Sequence, residues 1–384
     1  MRTLNDDPSS FEDRASGQHP WFDGSNFDAS DAGRYDHPAD ASTQSPRDRD
    51  ATQAGDRDLR IDLSPADRIL RKTRQVALGN YHCPVDHPQF AVGGGPHTCF
   101  YIAFHHTSVK LKIGNWQPEV LTPNNVSFYN CGESYSREAI GREGDDCDWI
   151  ALAPAMLGEI RAADELEHQG VGGRAFPRAS APIKPEVFFA QRKMFAALSN
   201  TSNALNSMQL EEAVLGLTSR IVDDALGFWG CRSGVRRRPR PTCQRRRLQI
   251  IEEAKSILAR EYWTDLSLTD LANQLHRSAA HLSRLFHAAT GFRLGDYRQE
   301  LRLRKGLFLL EESGLDIGDI AIRVGFASHS HFTSAFHRRF GTSPSQFLNW
   351  RYSDRRDVLV RQREYKGLLG SYAPVSQPAM AHGF

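Results

Sequence analysis

The segment from Gly325 to Gly341, GFASHSHFTSAFHRRFG, leaves the chain little freedom in its local structure. Gly325 can take the positive φ of a tight turn, and Phe326 sets an apolar anchor beside it. Ser328 is suited to cap a helix along which Phe332, Phe336 and Phe340 recur every four residues on one stripe. Gly341 stops that helix, and Ser343-Pro344 starts another with a cap and a proline at its first position. The face opposite the aromatic stripe carries His, Ser, Thr and Arg, side chains suited to the donor and acceptor pattern of a DNA major groove.

A second unit of the same kind lies upstream. Ser267-Leu268-Thr269-Asp270 is a capping-box-like start, and Leu268, Leu271, Ala272 and Leu275 form an apolar stripe. After a turn near His276 and Arg277, Ser278 can cap a helix with Leu282, Leu285, Phe286 and Ala289 inside and Gly291 at its end. In the later unit the first helix begins at Asp316, runs through Ile317, Ile320 and Ala321, and turns at Gly325. Leu282 and Phe332 hold equivalent places 50 residues apart, so the chain repeats a helix-turn-helix unit. Between the units, Leu294 to Glu312 reads as a helix apolar over much of its circumference, which predicts a buried rod. Its 19 residues span roughly 28 Å, close to the roughly 34 Å turn of B-DNA, so one rigid subunit can set two helices in successive major grooves.

From about Arg245 to Trp350 the chain resembles the DNA-binding domain of the AraC/XylS transcriptional regulators. The resemblance rests on GF-x-S-x-S-x-F at Gly325 to Phe332, on Phe336 and Phe340, and on Gly341-x-Ser343-Pro344-x-x-Phe347. His281-Leu282-Ser283-Arg284-Leu285-Phe286 followed by Thr290-Gly291 carries it in the first unit. It implies seven helices, with the outer faces of the third and sixth touching bases. Carried over by position, the implied DNA-binding residues are Ala280, Ser283, Arg284 and His287, then His329, Ser330, Thr333 and Ser334. Arg284 ranks first among them, because a guanidinium can bind guanine O6 and N7 together. The short hydroxyls serve bases and phosphates alike, and Ala280 can offer only contact to a thymine methyl. His329 and His331 point in different directions on a helix, so no metal is expected there, and His331 is expected on the flank of the packed face.

Net charge is only +2, so the overall balance does not itself imply nucleic acid. Its distribution does. Arg236 to Arg238, Arg240 and Arg245 to Arg247 form a basic block ahead of the repeat, and Arg277, Arg302, Arg304, Lys305, Arg338 and Arg339 continue the bias toward phosphate contact.

Composition divides the rest of the chain. Residues 1–60 are polar and Asp-rich and read as a disordered tail; 61–230 form a sensor or dimerisation domain; 231–247 are a basic linker without an apolar face, expected to be a mobile tether. The DNA-binding domain occupies 248–350 and a C-terminal tail 351–384, and the reader is expected to fold without the other half. Cys99 to Phe104, Val109 to Ile113, Val126 to Tyr129 and Trp149 to Leu152 are candidate strands, separated by turns at Gly114-Asn115, Pro123 to Asn125 and Gly141 to Asp146. They predict a small barrel, and Asn124 to Tyr135 resembles the cupin-like sensor half of many of these regulators. Helices are expected after Pro185, packing on the barrel and supplying a subunit interface.

The fold expected is therefore multidomain: a cupin-like β-barrel with helices, then an all-α domain with two helix-turn-helix units. His82, Cys83, His87, His97, Cys99, His105 and His106 crowd one stretch, but without the His-x-His spacing of a metal cupin. The six cysteines form no disulfide framework, and no P-loop, nucleophile elbow or dinucleotide fingerprint occurs, so neither cofactor nor enzyme activity is expected. No apolar run suffices for a signal peptide or membrane span, which predicts a cytoplasmic protein. The expected partners are operator DNA, a small-molecule effector, a second copy in a homodimer, and RNA polymerase. The alternatives are an N-terminal half that only dimerises, and a cupin-type metalloenzyme fused to a DNA-binding domain.

Overall fold

The computed structural model describes residues 59–162, 175–199, 205–233 and 241–353. Among them, the N-terminal half contains β1 (Asp67–Lys72), β2 (Val76–Cys83), β3 (Phe100–His105), β4 (Val109–Ile113), β5 (Glu119–Leu121), β6 (Asn125–Tyr129), β7 (Tyr135–Ala139), β8 (Asp145–Leu152) and β9 (Ser180–Pro182), with a short α1 (Pro88–Val92). Two sheets result: β1-β2-β8-β3-β6-β9 and β5-β4-β7, antiparallel throughout.

The sheet-rich fold agrees with expectation, but the sheets do not close into one barrel. The six-stranded sheet is covered on both faces. One face sends Val76, Leu78, Ile102, Phe104, Val126, Phe128, Ile150 and Leu152 into a core shared with helices. The other sends Ala77, Tyr81, Tyr101, Tyr129 and Trp149 against Val109, Leu111 and Ile113 of the smaller sheet. Burial on both faces is why β3 and β8 read as apolar runs rather than alternating strands. The covering helices are α2 (Pro154–Ala162), α3 (Pro185–Ser199) and α4 (Ser207–Ser233).

Among the described residues, the C-terminal half has seven helices: α5 (Pro241–Glu261), α6 (Leu268–Gln274), α7 (Ala279–Thr290), α8 (Leu294–Glu312), α9 (Ile317–Arg323), α10 (His329–Phe340) and α11 (Pro344–Ser353). The rod α8 is buried along most of its length, and its mid-helix Gly306 has a packing reason: a Cβ there would lie 2.8 Å from the Phe332 ring of α10. The first unit has its own core of Ile251, Leu258, Leu271, Leu282, Phe286 and Leu301. The second does not. Phe308, Phe332, Phe336, Phe340 and Phe347 belong to the same core as the inner face of the large sheet.

Several cations and one leucine depart from expectation. Arg304 is fully buried and donates to the carbonyls of Pro123 (2.7 Å) and Ile183 (2.8 Å) and to Glu300 (2.9 Å). Arg302 donates to Tyr262 O and Thr264 O, Lys305 pairs with Glu143, and Arg339 pairs with Glu300. These four hold the protein together, where the charge pattern had pointed to phosphates. Residues 241–247 of the stretch expected as a tether form the first turns of α5, while 234–240, with Arg236 to Arg238 and Arg240, lie outside the described residues, as do 1–58 and 354–384 of the two tails. Leu268 is exposed, because the capping box places it at the helix start and away from the core.

Polar contacts between the halves are numerous. Tyr297 Oη meets Thr122 Oγ1 at 2.7 Å, and Asn124 donates to Tyr297 O at 3.0 Å. Arg192 of α3 donates to Asp148 of β8 and to Glu311 of α8, and its guanidinium lies 4.8 Å from the Phe308 ring centroid. Burial disfavours the Asp148 charge, yet His106 and Arg192 hold that carboxyl down at about 2. Phe189 stacks on Phe340 with centroids 5.3 Å apart.

Candidate nucleic-acid interface

Each of α7 and α10 is fixed at both ends by its own sequence. Ser278 accepts from His281 N at 3.3 Å to start α7, and Ser328 accepts from His331 N at 3.2 Å to start α10. Gly291 and Gly341 end them, each amide donating back to the carbonyl of residue 287 or 337. The preceding helices are capped too: Ser267 and Asp270 form a reciprocal capping box, and Asp316 accepts from Gly318 N and Asp319 N.

The turns between the paired helices follow one pattern. Arg277 N donates to Ala272 O and Phe326 N to Ala321 O, both at 2.9 Å. At the turning position the second unit has Gly325 with φ 86°, and the first has His276 with φ 51°. The missing glycine is why the first turn is harder to read from sequence.

Anchoring the apolar stripes inward turns the opposite faces outward. On α7, Leu282 and Phe286 are buried while Ala280, Arg284 and His287 are exposed and Ser283 is half-buried. On α10, Phe332, Ala335, Phe336 and Phe340 are buried while His329, Ser330 and Ser334 are exposed and Thr333 is half-buried. All eight sequence-selected positions therefore lie on the two outward faces. His331 is exposed at the α10 start, its ring 5.3 Å from that of Phe326.

Both helices lean on α8, and a cleft of about 390 Å³ separates them. His287 of the α7 face lines it, opposite Ala335 and Arg338 of α10. Arg293 and Arg338 are exposed at this cleft and Arg245, Arg246 and Arg247 along α5. Arg293 was not singled out by the sequence, since only the fold brings the α8 start beside α10.

The histidine-rich N-terminal stretch has other partners. His105 Nε2 meets Ser127 Oγ at 2.9 Å, His106 meets Arg192 and Asp148, and His82 meets Asp146 at 2.9 Å. Among the described residues, no three His, Cys, Asp or Glu side chains converge as a metal-binding group. Burial, with His106 adding to it, lowers the His105 imidazole to about 3, so it is neutral near pH 7. His105 Nδ1 and Asp145 Oδ1 lie 4.0 Å apart between the sheets, each buried without a hydrogen-bond partner. Burial also lifts the Asp145 carboxyl to about 6 against the pull of Arg137. No helix among the described residues is long and apolar enough to cross a membrane.

Comparison with known proteins places these helices in context. The family described as "Helix-turn-helix domain" matches residues 271–349. The Msm operon regulatory protein of Streptococcus mutans is 32% identical over 97 residues, 25% of this chain and 35% of that protein. A Proteus vulgaris protein named "Probable transcription factor PqrA" is 35% identical over 82 residues, 21% of this chain and 67% of that protein. A crystal structure of an AraC-type transcriptional regulator from Chromobacterium violaceum is 30% identical, with a TM-score of 0.26, and covers 27% of this chain and 92% of that one. The chain spans about a third of the length of the first curated relatives it matches.

Proposed function

Because the chain belongs to the AraC/XylS family of transcriptional regulators, we propose that it is a sequence-specific transcription regulator that reads DNA with α7 and α10. One observation carries the reading: two capped helices, each anchored by buried aromatic or leucine side chains, lean on the same buried helix α8 and present polar faces on either side of one cleft. Arg284 is the principal base reader, with His287, Ser283 and Ala280 around it, and His329, Ser330, Thr333 and Ser334 form the second reading set. The exposed Arg245 to Arg247, Arg293 and Arg338 supply phosphate contacts.

The N-terminal half controls this reader by binding a small polar effector between its sheets. The facing, partnerless His105 Nδ1 and Asp145 Oδ1 support a polar ligand there. A second reading, in which this half only docks and dimerises, is favoured by the filling of the same layer with Tyr81, Tyr101, Tyr129 and Trp149. The protein acts in the cytoplasm as a homodimer that contacts RNA polymerase at its promoters, and it catalyses no reaction. Mobility shifts with random and selected duplexes test DNA reading; thermal shifts of the whole protein against a library of polar metabolites separate the two N-terminal roles. No sequence preference would defeat the first claim, and no stabilising metabolite would favour the second reading.

A further inference from the structure

One short segment of the N-terminal half touches the supports of both reading helices. At its start, Val120 N donates to Glu252 of α5, and Lys255 Nζ donates to Val120 O at 3.2 Å. Lys255 is buried and pairs with Glu252 at 2.9 Å, while α5 packs directly against α7 in the first-unit core. Three residues on, Pro123 O accepts from Arg304 at 2.7 Å. Arg304 donates to Glu300 Oε1 at 2.9 Å, and Glu300 Oε2 accepts from Arg339, in the last turn of α10, at 2.6 Å. Thr122 and Asn124 fasten the same segment to Tyr297 between these arms.

The pair at the centre of the second arm is built differently from a surface ion pair, although Arg339 at its end is partly exposed. Glu300 is 3% exposed and Arg304 fully buried, so their bonds are charge-assisted and poorly screened. Each Glu300 oxygen takes a different guanidinium, so α10 cannot tilt away without breaking the Arg339 bond or dragging Arg304 from its carbonyls.

We propose that residues 120–124 are a brace that fixes the relative position of α7 and α10, with Glu300 and Lys255 as its positioning residues, and so set the spacing between the two DNA elements the chain accepts. This rests on the two-helix reading given under Proposed function. One base pair of added spacer moves the second element by roughly 3.4 Å and turns it by about 35°, on about 10 base pairs per turn. A braced reader tolerates that poorly, and an unbraced one follows it.

The test uses the full chain, its best two-element duplex from site selection, and duplexes with the spacer one base pair shorter or longer. The wild type should lose about tenfold in affinity at each altered spacer. Glu300→Gln and Lys255→Met should both shrink that penalty to under about threefold and both weaken binding at the best spacer. Simple electrostatics predicts otherwise, because the first change adds positive charge and strengthens DNA binding while the second removes it. Retention of the wild-type penalty in a folded variant, checked by urea midpoint, overturns the brace. Should Glu300→Gln fail to fold, Lys255→Met decides on the other arm. A wild type indifferent to spacing overturns the two-helix reading itself.

Discussion

Gly325→Ala and Gly341→Ala form a matched pair that isolates one contact. Both glycines have left-handed backbone, φ 86° and 72°, so alanine pays about 1 kcal/mol at each, partly offset by a stiffer unfolded chain. Their surroundings differ. A Cβ at Gly341 meets nothing within 4 Å, whereas one at Gly325 would lie 2.3 Å from Trp263 O and 2.8 Å from Trp263 C and Cα. Those are backbone atoms, and the loop is pinned on either side by Arg302, which donates to Tyr262 O and Thr264 O at 2.6 Å each. Making room requires a shift that breaks at least one of these charged hydrogen bonds, about 1.5 to 3 kcal/mol, or forces overpacking of similar cost. We expect Gly341→Ala to cost about 1 kcal/mol or less and Gly325→Ala about 1.5 to 3 kcal/mol more. Urea unfolding of the full chain at matched m-values measures both. Costs within about 0.5 kcal/mol of each other would refute the view that the second turn is seated on the 262–264 loop.

Further outcomes follow from other parts of the structure. Arg284→Ala should cost about 1 to 3 kcal/mol at the selected site and relax one base position, whereas Arg246→Ala should weaken all sequences alike and flatten the salt dependence, both readable from titrations at several salt concentrations. His105 is neutral in the fold, held at about 3, and takes a proton in the unfolded chain near pH 6.5. Its contribution is therefore complete above pH 6.5 and lost as pH falls toward 3, and His105→Gln should make the pH 6-to-4 stability slope shallower by about 1.4 kcal/mol per unit; an unchanged slope would disprove the assignment. A fragment of residues 241–353 should melt below the full chain and bind a hydrophobic dye, because Phe340 and Phe347 lose their cover from Phe189; equal melting would show that the shared core contributes nothing.

The helices α7 and α10 were legible in the sequence because everything that defines them is local: caps, a four-residue aromatic repeat and glycine stops. The resemblance supplied which outward positions to choose. Long-range partners were not legible. Arg304 sits in a basic row and reads as a phosphate ligand, since the carbonyls that take it belong to Pro123 and Ile183, far away in the chain. Strand β2 escaped notice because Gly79 and Asn80 interrupt its pattern, yet Gly79 is required where the Trp149 ring crosses, 2.2 Å from any added Cβ. Closure into a barrel was expected from short strands and turns; the helices after Pro185 were legible as covers for the sheet, but nothing local reveals that the two sheets stay open.

Selection of bound duplexes from random DNA by the full-length protein, followed by footprinting of the winners, tests the central claim most directly. Two conserved elements should emerge with centres about 10 base pairs apart, protected on one face of the duplex, with Arg284→Ala altering only one element and Thr333→Ala only the other. Absence of sequence enrichment, or a single element altered by neither substitution, would contradict the account.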